Sequence, residues 1–192
     1  MIVLDIDGTI KLDTALELLK EYKFIAYTTK RHTEEENRFR IIIPINYELE
    51  LDSEDYKGFM NNVMKWLPFK VDESCNQRSK KWESNNGQFI SNDGKLLDAL
   101  MFIPRTSRNE QFNQNFQKIE SMDNLERWFA QRISEGNRNN NMIKYALALV
   151  DNGLTLQDVE KQIISFNKKL SNPLPETEIR QTILKTVAKK YE

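Results

Sequence analysis

Apolar residues fall in short, closely spaced blocks over the first hundred positions and at helical spacing after that. Residues 2–6 are apolar apart from Asp5 and run into Asp7-Gly8-Thr9, which predicts a short buried strand ending in a polar turn. Residues 13–22 predict a helix with Asp13 as N-cap and an apolar face of Ala15, Leu16, Leu18 and Leu19. A second strand is expected over 24–28, a polar loop over 29–37 and a third strand over 38–45, closed by Pro44. Ser53 is expected to cap a helix running to Leu67, with Tyr56, Phe59, Met60, Val63, Met64 and Leu67 inward. Residues 69–72 read as a further strand, 73–97 as a polar stretch with turns at Asn85-Asn86-Gly87 and Asn92-Asp93-Gly94, and 97–103 as a last strand. The order strand–helix–strand–strand–helix implies an α+β core over residues 1–104.

The texture changes after Pro104. Residues 105–120 lack strong periodicity, are rich in Arg, Asn and Gln, and read as a linker. Helices are expected over 122–134 and over 140–151, the second stopped by Asn152-Gly153. Thr155 and Asp158 match a capping box for a third helix to about Phe166, and Pro175, with Glu176 and Glu178 behind it, opens a fourth. A small all-α domain over 121–192 follows from this.

Charge sharpens the division. The 192 residues carry a formal net charge of −1, which excludes a histone-like polycation and a strongly acidic tail. Residues 1–104 hold 14 basic and 18 acidic side chains, and the remainder 14 basic and 11 acidic. The first part suits metal binding and the second a phosphate-bearing partner. Cys75 alone excludes a disulfide framework, and His32 alone excludes a multi-histidine metal centre. No run approaches a membrane span, and Met1 leads straight into the first strand with no leader, so a cytoplasmic protein without a membrane partner is expected.

The sharpest chemical feature is Asp5-Ile6-Asp7. Residues two apart on a strand share a face, so two carboxylates would sit side by side at the end of a buried strand. Their repulsion and desolvation are relieved by a divalent cation, and oxygen ligands suit Mg²⁺ or Mn²⁺. Arg38 and Arg40 share one face of the third strand, where their guanidinium forks suit a triphosphate or a solvated surface equally. Lys30 and Arg31 flank His32 in a loop, and Arg78 follows the segment 69–72; phosphate contact and plain solvation are both open to them. Trp128, Tyr145 and Phe166 lie at helical spacing, which favours a core role over base stacking.

Two families share such a strand. Asp5-Ile6-Asp7-Gly8-Thr9, with Thr28 closing the second strand, resembles the opening motifs of haloacid-dehalogenase-like phosphatases, which would make Asp5 a nucleophile. No later apolar strand ends in paired acids, as that family needs. The ordered set Asp5-Ile6-Asp7, then Thr28 to His32, then Val71-Asp72 resembles the archaeo-eukaryotic primase superfamily, in its phage and plasmid primase-polymerase branch. Gly136 to Asn140, Asp151-Asn152-Gly153, Asn167, Pro173-Leu174-Pro175 and Glu178-Ile179 resemble the helical primase C-terminal domain that follows such cores.

The resemblance implies an RRM-like mixed sheet, Asp5, Asp7 and Asp72 as ligands of two Mg²⁺ or Mn²⁺ ions, and nucleotidyl transfer from a dNTP or NTP on a DNA template or primer. It implies His32 at the nucleotide's phosphates, with Lys30, Arg38, Arg40 and Arg78 as further nucleotide-binding residues. It also implies work in the cytoplasm, that of a bacterial host if phage-encoded. No Gly-x-x-x-x-Gly-Lys-Ser/Thr stretch is present, so unwinding is expected from a separate helicase. Relatives of this kind usually carry a segment before the first acidic strand, which here begins at residue 2; a non-catalytic DNA-binding replication protein is the third expectation.

Overall fold

Strand β1 (Ile2–Asp7) buries Ile2, Leu4 and Ile6 on one side and turns Val3, Asp5 and Asp7 to the other. The computed structural model describes residues 1–117 and 119–191; Lys118, within the expected linker, and Glu192, at the end of the expected helical domain, lie outside them. The chain divides into two compact units, Met1–Glu120 and Ser121–Glu192. No helix among the described residues is long and apolar enough to cross a membrane.

In the first unit, β1 is followed by α1 (Leu12–Leu19), β2 (Phe24–Thr28), β3 (Arg38–Ile43), α2 (Ser53–Trp66) and β4 (Phe89–Asn92). The sheet order is β1-β3-β2-β4, so β1 and β2 run parallel with β3 between them. Leu4, Ile6, Phe24, Ala26, Phe39, Ile41 and Ile43 form the buried face, with Leu19, Phe59, Met60 and Val63 from the helices also in the core. Every ladder of this sheet is antiparallel, where a mixed sheet was expected: β3 reverses against both neighbours, and β4 reverses against β2.

Other differences have local causes. Helix α1 starts at Leu12 after Lys11, and Asp13 sits in its first turn, where a carboxylate meets the positive helix end. Asp52, not Ser53, caps α2 by accepting from the Asp55 N–H. Residues 69–72 form no strand; a single backbone bond, from the Asp72 N–H to the Asp5 carbonyl at 2.9 Å, ties this segment to β1. The polar stretch 73–97 contains β4, which neither alternation nor apolar content announces. Residues 97–103 pair with Ile45 only at Leu97, and then coil into a 3-10 turn, Ala99–Met101, capped by Asp98. The expected linker instead holds helix α3 (Ser107–Gln117). Phe112 and Phe116, four apart, give it an apolar stripe, and Phe112 packs edge-on against buried Phe102 at 5.9 Å.

The second unit opens with α4 (Asn124–Ala130), whose Asp123 and Glu126 form a reciprocal capping box. Helices α5 (Arg138–Asp151) and α6 (Leu156–Lys169) follow, α5 stopped by Gly153 at φ +88 and α6 capped by Thr155. Then α7 (Glu176–Glu178), a π-helical stretch Ile179–Leu184 and α8 (Lys185–Ala188) run on without a break. Tyr145, fully buried, packs between Phe129 and Phe166 at 5.7 and 4.6 Å. Trp128 is buried as well, so all three candidate stacking aromatics belong to the core. Buried Asn167 clamps the turn before α7 by donating to the Leu174 carbonyl (2.9 Å) and accepting its N–H (2.8 Å).

Asn167→Ala is expected to leave both Leu174 backbone groups buried without partners and to destabilise the second unit by about 2–4 kcal/mol. Urea unfolding followed by circular dichroism measures this.

Candidate active site

Asp5 and Asp7 lie opposite Arg40 and Arg38 on the face of the sheet that the helices leave open. Asp72 joins them through its backbone bond to the Asp5 carbonyl. The chain then turns into a 3-10 segment, Glu73–Asn76, and the Asp72 carboxylate accepts from both the N–H and the hydroxyl of Ser74, at 2.8 and 2.6 Å. One oxygen from each of Asp5, Asp7 and Asp72 lies within 4.8 Å of the other two.

Three positive side chains balance these carboxylates. Arg38 pairs with Asp7 at 3.2 Å, and Arg40 Nε with Asp5 Oδ1 at 3.1 Å. Lys80 lodges its ammonium between Asp72 and Asp5, at 2.7 and 3.4 Å. Its hydrogen bond, followed by that of the Ser74 hydroxyl, holds the Asp72 carboxyl down at about 2, from an ordinary 3.8. Burial opposes the charge on Lys80, but its bond to Asp72 and the neighbouring Cys75 and Asp5 raise its pKa above the usual lysine range. Trp82 lies beside both cations, 4.5 Å from the Lys80 ammonium and 5.4 Å from the Arg40 guanidinium, measured to the ring centre. Arg40 also donates to the Tyr27 hydroxyl and the Glu83 carbonyl. Cys75 is buried beneath Asp5, whose N–H donates to its sulfur at 3.3 Å. Burial pushes the thiol's pKa up, away from the reactive thiolate.

The three oxygens suit one hard divalent cation. Oxygens that share such an ion at 2.0–2.6 Å lie no more than about 5 Å apart. Lys80 already places a positive charge where Asp5 and Asp72 could share that ion.

The other candidates are placed differently. His32 is half-buried beside Arg38, and its Nδ1 accepts the Arg38 backbone N–H at 3.0 Å. In the neutral ring this fixes the proton on Nε2, which leaves one donor for a ligand. Lys30 and Arg31 are exposed and make no ion pair among the described residues. Arg78 does not join the acids. The chain turns back at Gln77–Lys80, where the Lys80 N–H meets the Gln77 carbonyl, and Arg78 donates instead to Leu51. It lines a separate cavity of about 340 Å³ with Tyr47 and Tyr56, and none of the three acids reaches it.

Lys80, Ser74, Trp82 and Tyr27 are the site residues missed in the sequence. The available signals were Asp72-x-Ser74, a spacing at which a carboxylate meets the N–H two residues on, and an aromatic directly after a lysine pair in a polar stretch.

The second unit carries a family likeness. Residues 126–189 match the family Primase C terminal 1 (PriCT-1). No curated protein and no solved structure matches the chain. The PriCT-1 stretch runs from α4 past α8, and residues 1–120 lie outside it. Within it, Glu126 is buried and paired with Lys169 at 2.7 Å, and Arg180 is paired with Glu160. Part of the positive charge counted there is therefore spent inside the unit.

The depressed Asp72 value has a pH signature. Its stabilisation is complete above about pH 4 and is lost as the pH falls through about 2. Lys80→Met is expected to lower the melting temperature at pH 6 in the absence of divalent ions. The gap to the parent chain should close between about pH 4 and pH 2, which melting curves across that range check.

Proposed function

We propose that the first unit carries out template-directed nucleotidyl transfer in DNA replication, as a primase-polymerase with Asp5, Asp7 and Asp72 as its metal ligands. The observation that carries this is the convergence of the three carboxylates on the open sheet face. The PriCT-1 match links the same chain to primase-related replication. In the reaction a primer 3′-hydroxyl attacks the nucleotide's α-phosphorus, the α–β phosphoanhydride breaks, and pyrophosphate leaves. Mg²⁺ or Mn²⁺ bound by the three acids would supply Lewis acidity to the hydroxyl and charge to the phosphates.

The chain's own residues do the rest. Arg40 and Lys80 hold Asp5 from two sides, so its carboxylate is fixed before any ligand arrives. Both oxygens of Asp5 are thereby engaged, which suits a ligand and works against the phosphatase alternative, where Asp5 must attack phosphorus. Lys80 and Arg40 compete with an ion for the same oxygens, and once displaced they can neutralise phosphate charge. His32 offers Nε2–H to a phosphate oxygen, while its Nδ1 stays fixed by Arg38. Arg38 is shared between Asp7 and Glu36 and steadies the end of β1.

Primer extension on a DNA template with Mg²⁺ or Mn²⁺ is the direct test. Asp5→Asn, Asp7→Asn and Asp72→Asn should each lower the rate about a hundredfold or more. Calorimetric titration of Mn²⁺ into the same variants should show weakened binding with the fold intact. Undiminished extension in Asp5→Asn with Asp7→Asn would refute the assignment.

A further inference from the structure

The acid-bearing row of the sheet does not end at Arg40. Strand register continues it through Tyr27 on β2 to Phe89 on β4, giving Asp5–Arg40–Tyr27–Phe89 across four strands. Asp5, Arg40 and Tyr27 are half-buried, and Phe89 is 65% exposed at the outer end. A large apolar ring on an edge strand attracts unwanted pairing, and edge strands usually carry charge there instead. Among the described residues Phe89 makes no ring contact of its own.

Its position is tightly fixed all the same. The Thr28 hydroxyl accepts from the Gln88 N–H at 2.9 Å, the Thr28 N–H donates to the Gln88 carbonyl at 3.0 Å, and the Asn85 amide donates to the Thr28 carbonyl at 2.9 Å. Gly87 packs so closely on Thr28 that a Cβ would collide with its side chain and backbone. The ring is therefore presented on a rigid start of β4. Lys30 and Arg31 leave β2 at this same end of the sheet, exposed and without ion pairs among the described residues.

We infer that Phe89 is a stacking platform for an unpaired base of single-stranded DNA, whose phosphates run past Lys30 and Arg31. The choice of ligand rests on the replication reading above. An exposed ring on a hydrogen-bonded backbone, with cations free of ion pairs at the same end of the sheet, matches the two halves of single-strand recognition, aromatic stacking and backbone charge. Adjacent strands are about 4.8 Å apart, which puts Phe89 roughly 14 Å from Asp5. That lies beyond the base of a nucleotide anchored at the acids, so the platform serves a neighbouring template base.

The test is anisotropy of a labelled oligo(dT) with the full chain in EDTA, where no catalysis occurs. Phe89→Ala should weaken binding roughly tenfold, and Phe89→Trp should retain it. On an oligonucleotide of abasic sites the parent chain and both variants should bind alike. Lys30→Ala with Arg31→Ala should weaken binding to both oligonucleotides and flatten the salt dependence. Equal binding of oligo(dT) by all Phe89 variants, or an equal loss on the abasic strand, overturns the proposal. So does a Phe89-dependent dimer in sedimentation, which would assign the ring to a second copy of the chain. Because the assay needs neither metal nor turnover, a failed extension assay leaves this result standing, and the reverse holds too.

Discussion

Three carboxylates gathered at the end of one strand repel one another, and much of the first unit is arranged to contain that repulsion. Asp5 and Asp7 arrive together because they are two apart on β1, and Asp72 is brought in by one backbone hydrogen bond. Cations from three directions answer them: Arg38 and Arg40 from the neighbouring strand, and Lys80 from the loop beyond Asp72. Removing Arg40 or Lys80 would strip a partner from a partly buried carboxylate that water reaches poorly, whereas Asp7, the partner of Arg38, is exposed to water. The same arrangement holds the Asp72 carboxyl well below the usual carboxylate range, through its bonds to Lys80 and Ser74.

The two units carry different kinds of information. The helical unit is legible by family likeness, over residues 126–189, yet Trp128, Tyr145 and Phe166 are buried and its buried acid, Glu126, is spent on Lys169. That match does not extend over the sheet unit, which holds the three converging carboxylates from which chemistry can be argued.

Much of this was legible in the sequence wherever a local rule sufficed. Short apolar runs placed β1, β2 and β3, and the strand period put Asp5 with Asp7, and Arg38 with Arg40, each pair on one face; the pairing of β1 with β3 that joins the two pairs came from the structure. Capping and glycine signals placed the helices of the second unit. What escaped depended on contacts distant in the chain. Strand β4 is short and set in a polar stretch, and Thr28 and Asn85 pin its start to β2. Helix α3 forms where Phe112 finds Phe102. Lys80 reaches the acids because of a turn at Gln77–Lys80, while Arg78 goes elsewhere.

The pairing of β1 with β3 sets two things at once. Leu4 lies opposite Ile41 in the core and Asp5 opposite Arg40 on the open face, in one continuous ladder. A slip of one residue in β1 would bury Asp5 and Asp7 and turn Leu4 and Ile6 outward. No misregistered molecule can therefore be stable while carrying a faulty acid cluster. Quality control of the site is delegated to the hydrophobic core, and each chain that folds has its charged groups already in register.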